Sequence, residues 1–215
     1  MGLREALTAL LFDFDGTIAD TAALWRDGTR AGFARGGFTL DDVTLSAILG
    51  GTWQDALPDL STAAATSIEL DIVASIREEY LCVPPVAGLE ALLDSVGSIP
   101  KAVVSSSYRA MLVSPYLERH GLSHHFPVVV GCDDTRRLKP HPEPVLLALR
   151  RLGVGSDGAW LIGDSESDVR AARAAQVGSI TVGDPLAGGD RSVDSIESIR
   201  ALLPGLLAEH VDGSG

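Results

Sequence analysis

Apolar positions fall into short runs along this chain, and the runs alternate between strand-like and helix-like spacing. Leu10–Leu11–Phe12 is a continuous apolar run of the kind a buried strand shows. Gly88 precedes a segment with Leu89, Leu92, Leu93 and Val96 on one face, stopped by Gly97, so the spacing predicts a helix. Ala102–Val103–Val104 reads as a buried strand ending in Ser105. Ser114–Pro115 has the form of an N-cap followed by proline at the first helical position, which opens a helix to His120 with Gly121 behind it. Val128–Val130 is a β-branched strand, Val145–Leu152 a helix and Ala159–Ile162 a strand. Val169–Ala175 is helical, Ile180–Val182 is a last strand, and a terminal helix is expected over Ile196–Leu207.

Strands alternating with helices imply an α/β fold, a mostly parallel sheet with helices on both faces. Such sheets bind ligands at the carboxyl ends of their strands, where the strand order reverses. Residues 21–82 break the alternation and read as all-helical. Gly36–Gly37 and Gly50–Gly51 punctuate them, and Ile68, Ile72, Ile76 and Tyr80 form one stripe. The organisation expected is a core of residues 1–19 and 84–215 with a helical insertion at 20–83. Residues 212–215 read as a frayed tail.

Strand ends carry the chemistry. Asp13 and Asp15 follow the first strand, Ser105 the second, and Asp164 and Asp168 follow Ala159–Ile162; Lys139 lies in "RRLKPHPEP" before a helix. Carboxylates brought together at that density need a cation, and oxygen-only ligands favour Mg2+. A phosphate group suits the remaining donors. The Phe14–Asp15–Gly16 turn can aim backbone N–H groups at an anion, Ser105 and the Ser106 amide can do the same, and Lys139 adds a point charge. Each residue has a structural alternative: a turn aspartate for Asp13 or Asp15, a polar turn for Ser105–Ser107, a solvated lysine, a helix cap for Asp164, a first-turn acid for Asp168. Their joint placement at strand ends favours a site.

Composition narrows the partners. The net charge is −12, with 15 arginines and only two lysines, Lys101 and Lys139. A duplex or an anionic membrane surface would repel most of this chain, so neither nucleic acid nor membrane is an expected partner. No apolar run is long enough to span a bilayer, and no basic region followed by a long apolar stretch marks a secretory signal, so a cytoplasmic setting is expected. Cys82 and Cys132 lack zinc or Cys-x-x-Cys spacing; a disulfide between them is the alternative, and buried thiols are the expectation.

By these residues the chain resembles the haloacid dehalogenase superfamily. The motifs are "DFDGT" (Asp13 to Thr17), Ser105 in "AVVSSS", Lys139 in "LKPHPEP" and "GDSESD" (Gly163 to Asp168). Their order and spacing match over essentially the whole chain, in the manner of phosphoglycolate phosphatases and β-phosphoglucomutases. The resemblance implies a Rossmann-like, doubly wound core with a helical cap after the first motif. It implies Mg2+ held by Asp13, Asp164 and the backbone carbonyl of Asp15. It also implies a small-molecule phosphomonoester as substrate, attacked by Asp13, with Asp15 as general acid and base. Phe14, Gly16, Ser105, Ser106 and Lys139 would hold the phosphoryl oxygens, with Thr17 and Asp168 supporting them. The cap would exclude water and read the leaving group. A monomer or weak homodimer is expected.

Single residues sort the chemistries of that superfamily. Dehalogenases have no use for an acid at Asp15, and phosphonatases need a cap lysine that residues 21–82 lack. A β-phosphoglucomutase-like phosphotransferase is the main alternative. Trp25 and Trp53 stand where such mutases carry a hinge histidine and a phosphate-clamping arginine, which favours a phosphatase. A non-catalytic phospholigand-binding protein is a further alternative, but it would be expected to lack Asp13, Asp15 or Lys139. Specificity is expected from Trp25, Trp53 and Gln54, with Arg26, Arg30 or Arg77 as further candidates. Gln176 stands where the family has a helix-ending glycine, so either it takes a left-handed conformation or the helix ends at Gly178.

Overall fold

The structure is a computed structural model, and it describes residues 7–49 and 57–208. In chain order, β1 (Ala9–Phe12) is followed by α1 (Ala22–Arg35), α2 (Asp42–Leu49), α3 (Thr62–Tyr80) and α4 (Leu89–Ser95). Next come β2 (Lys101–Val104), α5 (Ser114–Arg119), β3 (Val128–Val130), α6 (Glu143–Leu152) and β4 (Ala159–Gly163). The chain closes with α7 (Glu166–Ala174), β5 (Gly178–Val182), β6 (Arg191–Val193) and α8 (Leu203–Ala208).

The six strands form one sheet in the order β3-β2-β1-β4-β5-β6, and every pairing is parallel. Strand order therefore reverses at β1, whose neighbours are β2 and β4. Phe12 is in register with Val103 on one side and Ile162 on the other, so the residues just past these three strands share one edge of the sheet. Both faces of β1 are buried, as its unbroken apolar run predicts. Ala9 and Leu11 pack in one cluster with Val145, Ala148 and Leu149 of α6 and Ala171 and Ala172 of α7. Phe12 meets Phe126 edge to face, with ring centroids 5.6 Å apart.

The chain divides into two compact units, Met1–Asp20 with Pro84–Gly215, and Thr21–Val83. In the first, the outgoing and returning segments run side by side: Ala19 bridges Pro85, and the Val86 N–H donates to the Ile18 carbonyl at 2.9 Å. In the second, α1 packs along α3. The predicted stripe of Ile68, Ile72, Ile76 and Tyr80 is buried, and Gly28 and Gly32 make room for it. A Cβ at Gly32 would stand 2.2 Å from Ile72 Cγ1.

Four local expectations are corrected. Cys82 is exposed and Cys132 half-buried, so neither is the buried thiol expected. Ser114 is not an N-cap: a π-type turn, Arg109–Val113, runs directly into α5. The helical stretch begins at Arg109 because the Asp133 carboxylate accepts from the N–H groups of Arg109 and Ala110, at 2.7 and 3.1 Å. The terminal segment is not one helix but a 3-10 turn, Glu197–Ala201, followed by α8. Pro204, which has no N–H to donate, falls in the first turn of the second piece. β6 lacks an apolar run because it is an exposed edge strand. It is held by polar contacts instead: Asp190 accepts from Ser179 N–H and Oγ, both at 3.0 Å, and Thr181 Oγ1 lies 2.8 Å from Ser192 Oγ. Gln176 does adopt the left-handed conformation, φ 60°, just beyond α7; Val177 N–H then bonds back to Ala172 O at 3.0 Å.

Candidate active site

Asp13 is the first residue past β1, and its N–H continues the ladder to Ile162 O at 2.8 Å. The following turn is closed by Phe14 O, which accepts from Ile18 N–H at 2.8 Å and from Ala19 N–H at 3.1 Å. The Phe14 ring points into the core, edge-on to Tyr116 at 4.9 Å. Gly16 sits at φ +83°, and a Cβ there would stand 2.1 Å from Asp164 Oδ2. Glycine is thus required by the conformation and by the carboxylate lying against it. Gly163, at the end of β4, is constrained by close approach alone: a Cβ would fall 2.4 Å from Asp168 Cγ.

Lys139 joins these pieces. Its Nζ donates to Asp13 Oδ1 at 2.5 Å, to Asp168 Oδ1 at 2.6 Å and to Val104 O at 3.0 Å. The lysine and both carboxylates are almost wholly buried, with side chains 3%, 10% and 3% exposed respectively. Asp168 is fixed from behind as well, since its Oδ2 accepts from Ser165 Oγ at 2.6 Å and Ser165 N–H at 3.2 Å. Both oxygens of Asp168 are therefore engaged by the protein.

Charge does not balance here. Asp13, Asp164 and Asp168 each present an oxygen within 4.8 Å of the others, against the single ammonium of Lys139. Burial pushes the Asp13 carboxyl well above its ordinary range, the charges of Asp168 and Asp164 add to this, and Lys139 opposes it. Burial, then the charge of Asp168, pushes Asp164 up to about 6. Burial alone would push Lys139 down, but its two carboxylate partners hold it above the usual lysine value. Two carboxylates crowded against a third that is already committed, with oxygen-only donors, fit a hard divalent cation such as Mg2+. Asp13 and Asp164 are the carboxylates that could hold such an ion, since both oxygens of Asp168 already accept from Lys139 and Ser165.

The sequence pattern of the haloacid dehalogenase-like hydrolases matches residues 10–182. The chain belongs to this family. A phosphoglycolate phosphatase of Salmonella paratyphi A is 38% identical over 106 residues, which span 46% of this chain and 42% of that one. The chain thus spans less than half the length of that relative. A fructose-1-phosphate phosphatase of Escherichia coli is 30% identical over 195 residues, covering 84% of this chain and 98% of the relative. Among solved structures, a β-phosphoglucomutase of Clostridium difficile superposes with a TM-score of 0.76 at 24% identity, over 90% of this chain and 93% of that one. At that identity the likeness shows the shared fold.

The remaining family positions are now placed. Asp15 is half-buried, Ser105 buried and Ser106 exposed. Thr17 is fully buried, and its hydroxyl has no hydrogen-bond partner among the described residues. Two hydroxyls went unread in the sequence. Ser107 Oγ donates to Asp15 Oδ2 at 2.6 Å, and Ser165 caps α7 while holding Asp168. Ser165 could have been found from "SESD", whose Ser-x-x-Asp spacing is a capping box; nothing local marks Ser107. In the helical unit, Trp25 packs edge-on to Tyr80 at 6.2 Å. Arg30 pairs with Asp42 and Arg77 with Glu78, while Arg26 is exposed. Trp53 and Gln54 lie outside the described residues.

Proposed function

We propose that the protein is a Mg2+-dependent phosphatase that hydrolyses a small-molecule phosphomonoester through an aspartyl-phosphate on Asp13. The observation that carries this reading is the buried Asp13–Lys139–Asp168 chain with Asp164 beside it at the β1/β4 strand ends. A lone turn aspartate has no need of a buried lysine, whereas a nucleophilic carboxylate facing a phosphate dianion does. Mg2+, when bound by Asp13, Asp164 and the Asp15 carbonyl, supplies positive charge that offsets repulsion between carboxylate and phosphate.

An oxygen of Asp13 forms a bond to phosphorus as the bond to the leaving oxygen breaks. Asp15 delivers its proton to that oxygen, and the alcohol departs. Asp15, now a carboxylate, takes a proton from water as the water oxygen attacks phosphorus. The Asp13–phosphorus bond breaks, and inorganic phosphate leaves. Lys139 and Ser105 steady the phosphoryl oxygens, as do the amides of Phe14, Gly16 and Ser106. Ser105 Oγ accepts from Ser107 N–H at 2.9 Å, so its own proton is available to an anion. We read the helical unit Thr21–Val83 as the family's cap, because it enters the chain directly after the first motif.

Asp13→Asn should lower Mg2+-dependent phosphate release by at least about a thousandfold while keeping the circular-dichroism spectrum of the parent. The assay is inorganic-phosphate release across a panel of aryl, sugar and carboxyalkyl phosphates. Substantial turnover by the variant would remove Asp13 as nucleophile. Conversion of glucose 1-phosphate to an isomer without net phosphate release would assign the chain to the mutases instead.

A further inference from the structure

We infer that Ser107, just past β2, is a positioning residue for Asp15, holding the proton-transferring carboxylate in place beyond β1. The inference rests on the proposed phosphatase chemistry and goes beyond it by naming what aims the acid and base.

Three adjacent serines follow β2, and their environments differ. Ser105 is buried, Ser106 is exposed, and Ser107 is buried with its hydroxyl on a residue 92 positions away, Asp15. At 2.6 Å, that contact is at the short end of ordinary O–H···O hydrogen bonds. Ser107 is itself immobilised at both main-chain groups. Its N–H donates to Ser105 Oγ at 2.9 Å, and its carbonyl accepts from Cys132 N–H at 3.0 Å. A donor fixed in this way is a rigid post, and Asp15 is a short side chain with two rotatable bonds. Tethering one carboxylate oxygen removes most of that freedom, which is what proton transfer to a bound oxygen requires.

Such a role predicts a particular kinetic signature. A p-nitrophenolate leaves without needing a proton, so the first displacement from p-nitrophenyl phosphate depends little on Asp15. An alkoxide needs the proton, so the same step with an alkyl phosphate depends on it fully. Hydrolysis of the aspartyl-phosphate needs the base whatever alcohol has left. A serine that merely supported the fold would slow every step alike.

The experiment is rapid-quench and steady-state kinetics of wild type, Ser107→Ala, Ser107→Cys and Ser107→Thr with Mg2+. p-Nitrophenyl phosphate and glycerol phosphate are the substrates, and a thermal melt of each variant runs alongside. For Ser107→Ala we expect a p-nitrophenol burst close to one equivalent at near wild-type rate, then a steady state about 10- to 100-fold slower. With glycerol phosphate, its first turnover should slow by a similar factor. Ser107→Cys, which keeps the volume with only a weak donor, should behave in the same way if Ser107→Ala does not fold, and Ser107→Thr should recover most of the lost rate. A burst and steady state slowed together, or a steady state unchanged, would overturn the role of Ser107 while leaving the phosphatase reading intact. Wild type inert toward both esters and the wider panel, with Mg2+ present, would instead overturn that reading and this inference with it.

Discussion

Lys139 meets two carboxylates and a main-chain carbonyl in a place almost closed to water. Paired in this way the ammonium costs little; removed, it leaves Asp13 and Asp168 buried against each other. Lys139→Ala should therefore destabilise the protein by about 3–5 kcal/mol, read as a lower urea midpoint in metal-free buffer, besides losing activity. A loss below about 1 kcal/mol would mean that the carboxylates are neutral or hydrated in the folded chain. The only other lysine shows how little residue type says alone. Lys101 is buried too, yet its Nζ donates to the Gly97 and Ile99 carbonyls at 2.6 and 2.9 Å, fastening a turn at the start of β2. What made Lys139 readable was company: Asp13, Asp15, Asp164 and Asp168 all follow apolar runs that can only be inner strands. Ser107 had no such marker, because its role is set by a partner 92 residues away.

At the scale of elements, apolar periodicity located what is buried and missed what is held by polar groups. β1 to β4 each contain an apolar run and β5 the run Ile180–Val182; β6 and the early start of the α5 segment rest on Asp190 and Asp133, which accept from residues 11 and 24 positions away. Gln176 takes the first of the two outcomes its sequence position allows, a left-handed conformation that costs about 1 kcal/mol relative to glycine, where the chain turns from α7 into β5. Asp134 ties three elements at once. It accepts from Gly131 N–H at 3.0 Å, from Arg109 Nε at 2.8 Å and from an Arg151 guanidinium nitrogen at 2.9 Å. Burial would raise its pKa, but these donors outweigh burial and hold it below the usual carboxylate range. A carboxylate whose pKa is depressed by folding stabilises the fold fully above its unfolded value of about 4, and the contribution drains away as pH falls through the folded value. Asp134→Asn should accordingly destabilise the protein near pH 7, with the gap to wild type narrowing below about pH 4 in urea melts. A gap that stays constant from pH 7 to pH 3 would show that shape, not charge, carries the contribution of Asp134.

For the whole molecule, the net charge of −12 makes any Mg2+ effect ambiguous until it is tied to one place. Divalent ions screen an acidic surface wherever they condense, so a rise in melting temperature with Mg2+ could be diffuse. The strand-end cluster predicts a saturable response instead. At a hundred times the dissociation constant, one site adds about 2.7 kcal/mol, or roughly 5–10 °C for a chain of this size. Asp164→Asn separates the two cases, because it changes the net charge by only one unit yet removes a proposed carboxylate ligand. It also relieves the repulsion that Asp168 exerts on Asp164. The metal-free variant should therefore melt at or above the wild-type temperature while losing the Mg2+ response, in scans at fixed ionic strength. A variant that keeps the full saturable shift would place the cation elsewhere, and the pairing of Asp13 with Lys139 would then be the proposed nucleophile's only charge compensation among the described residues.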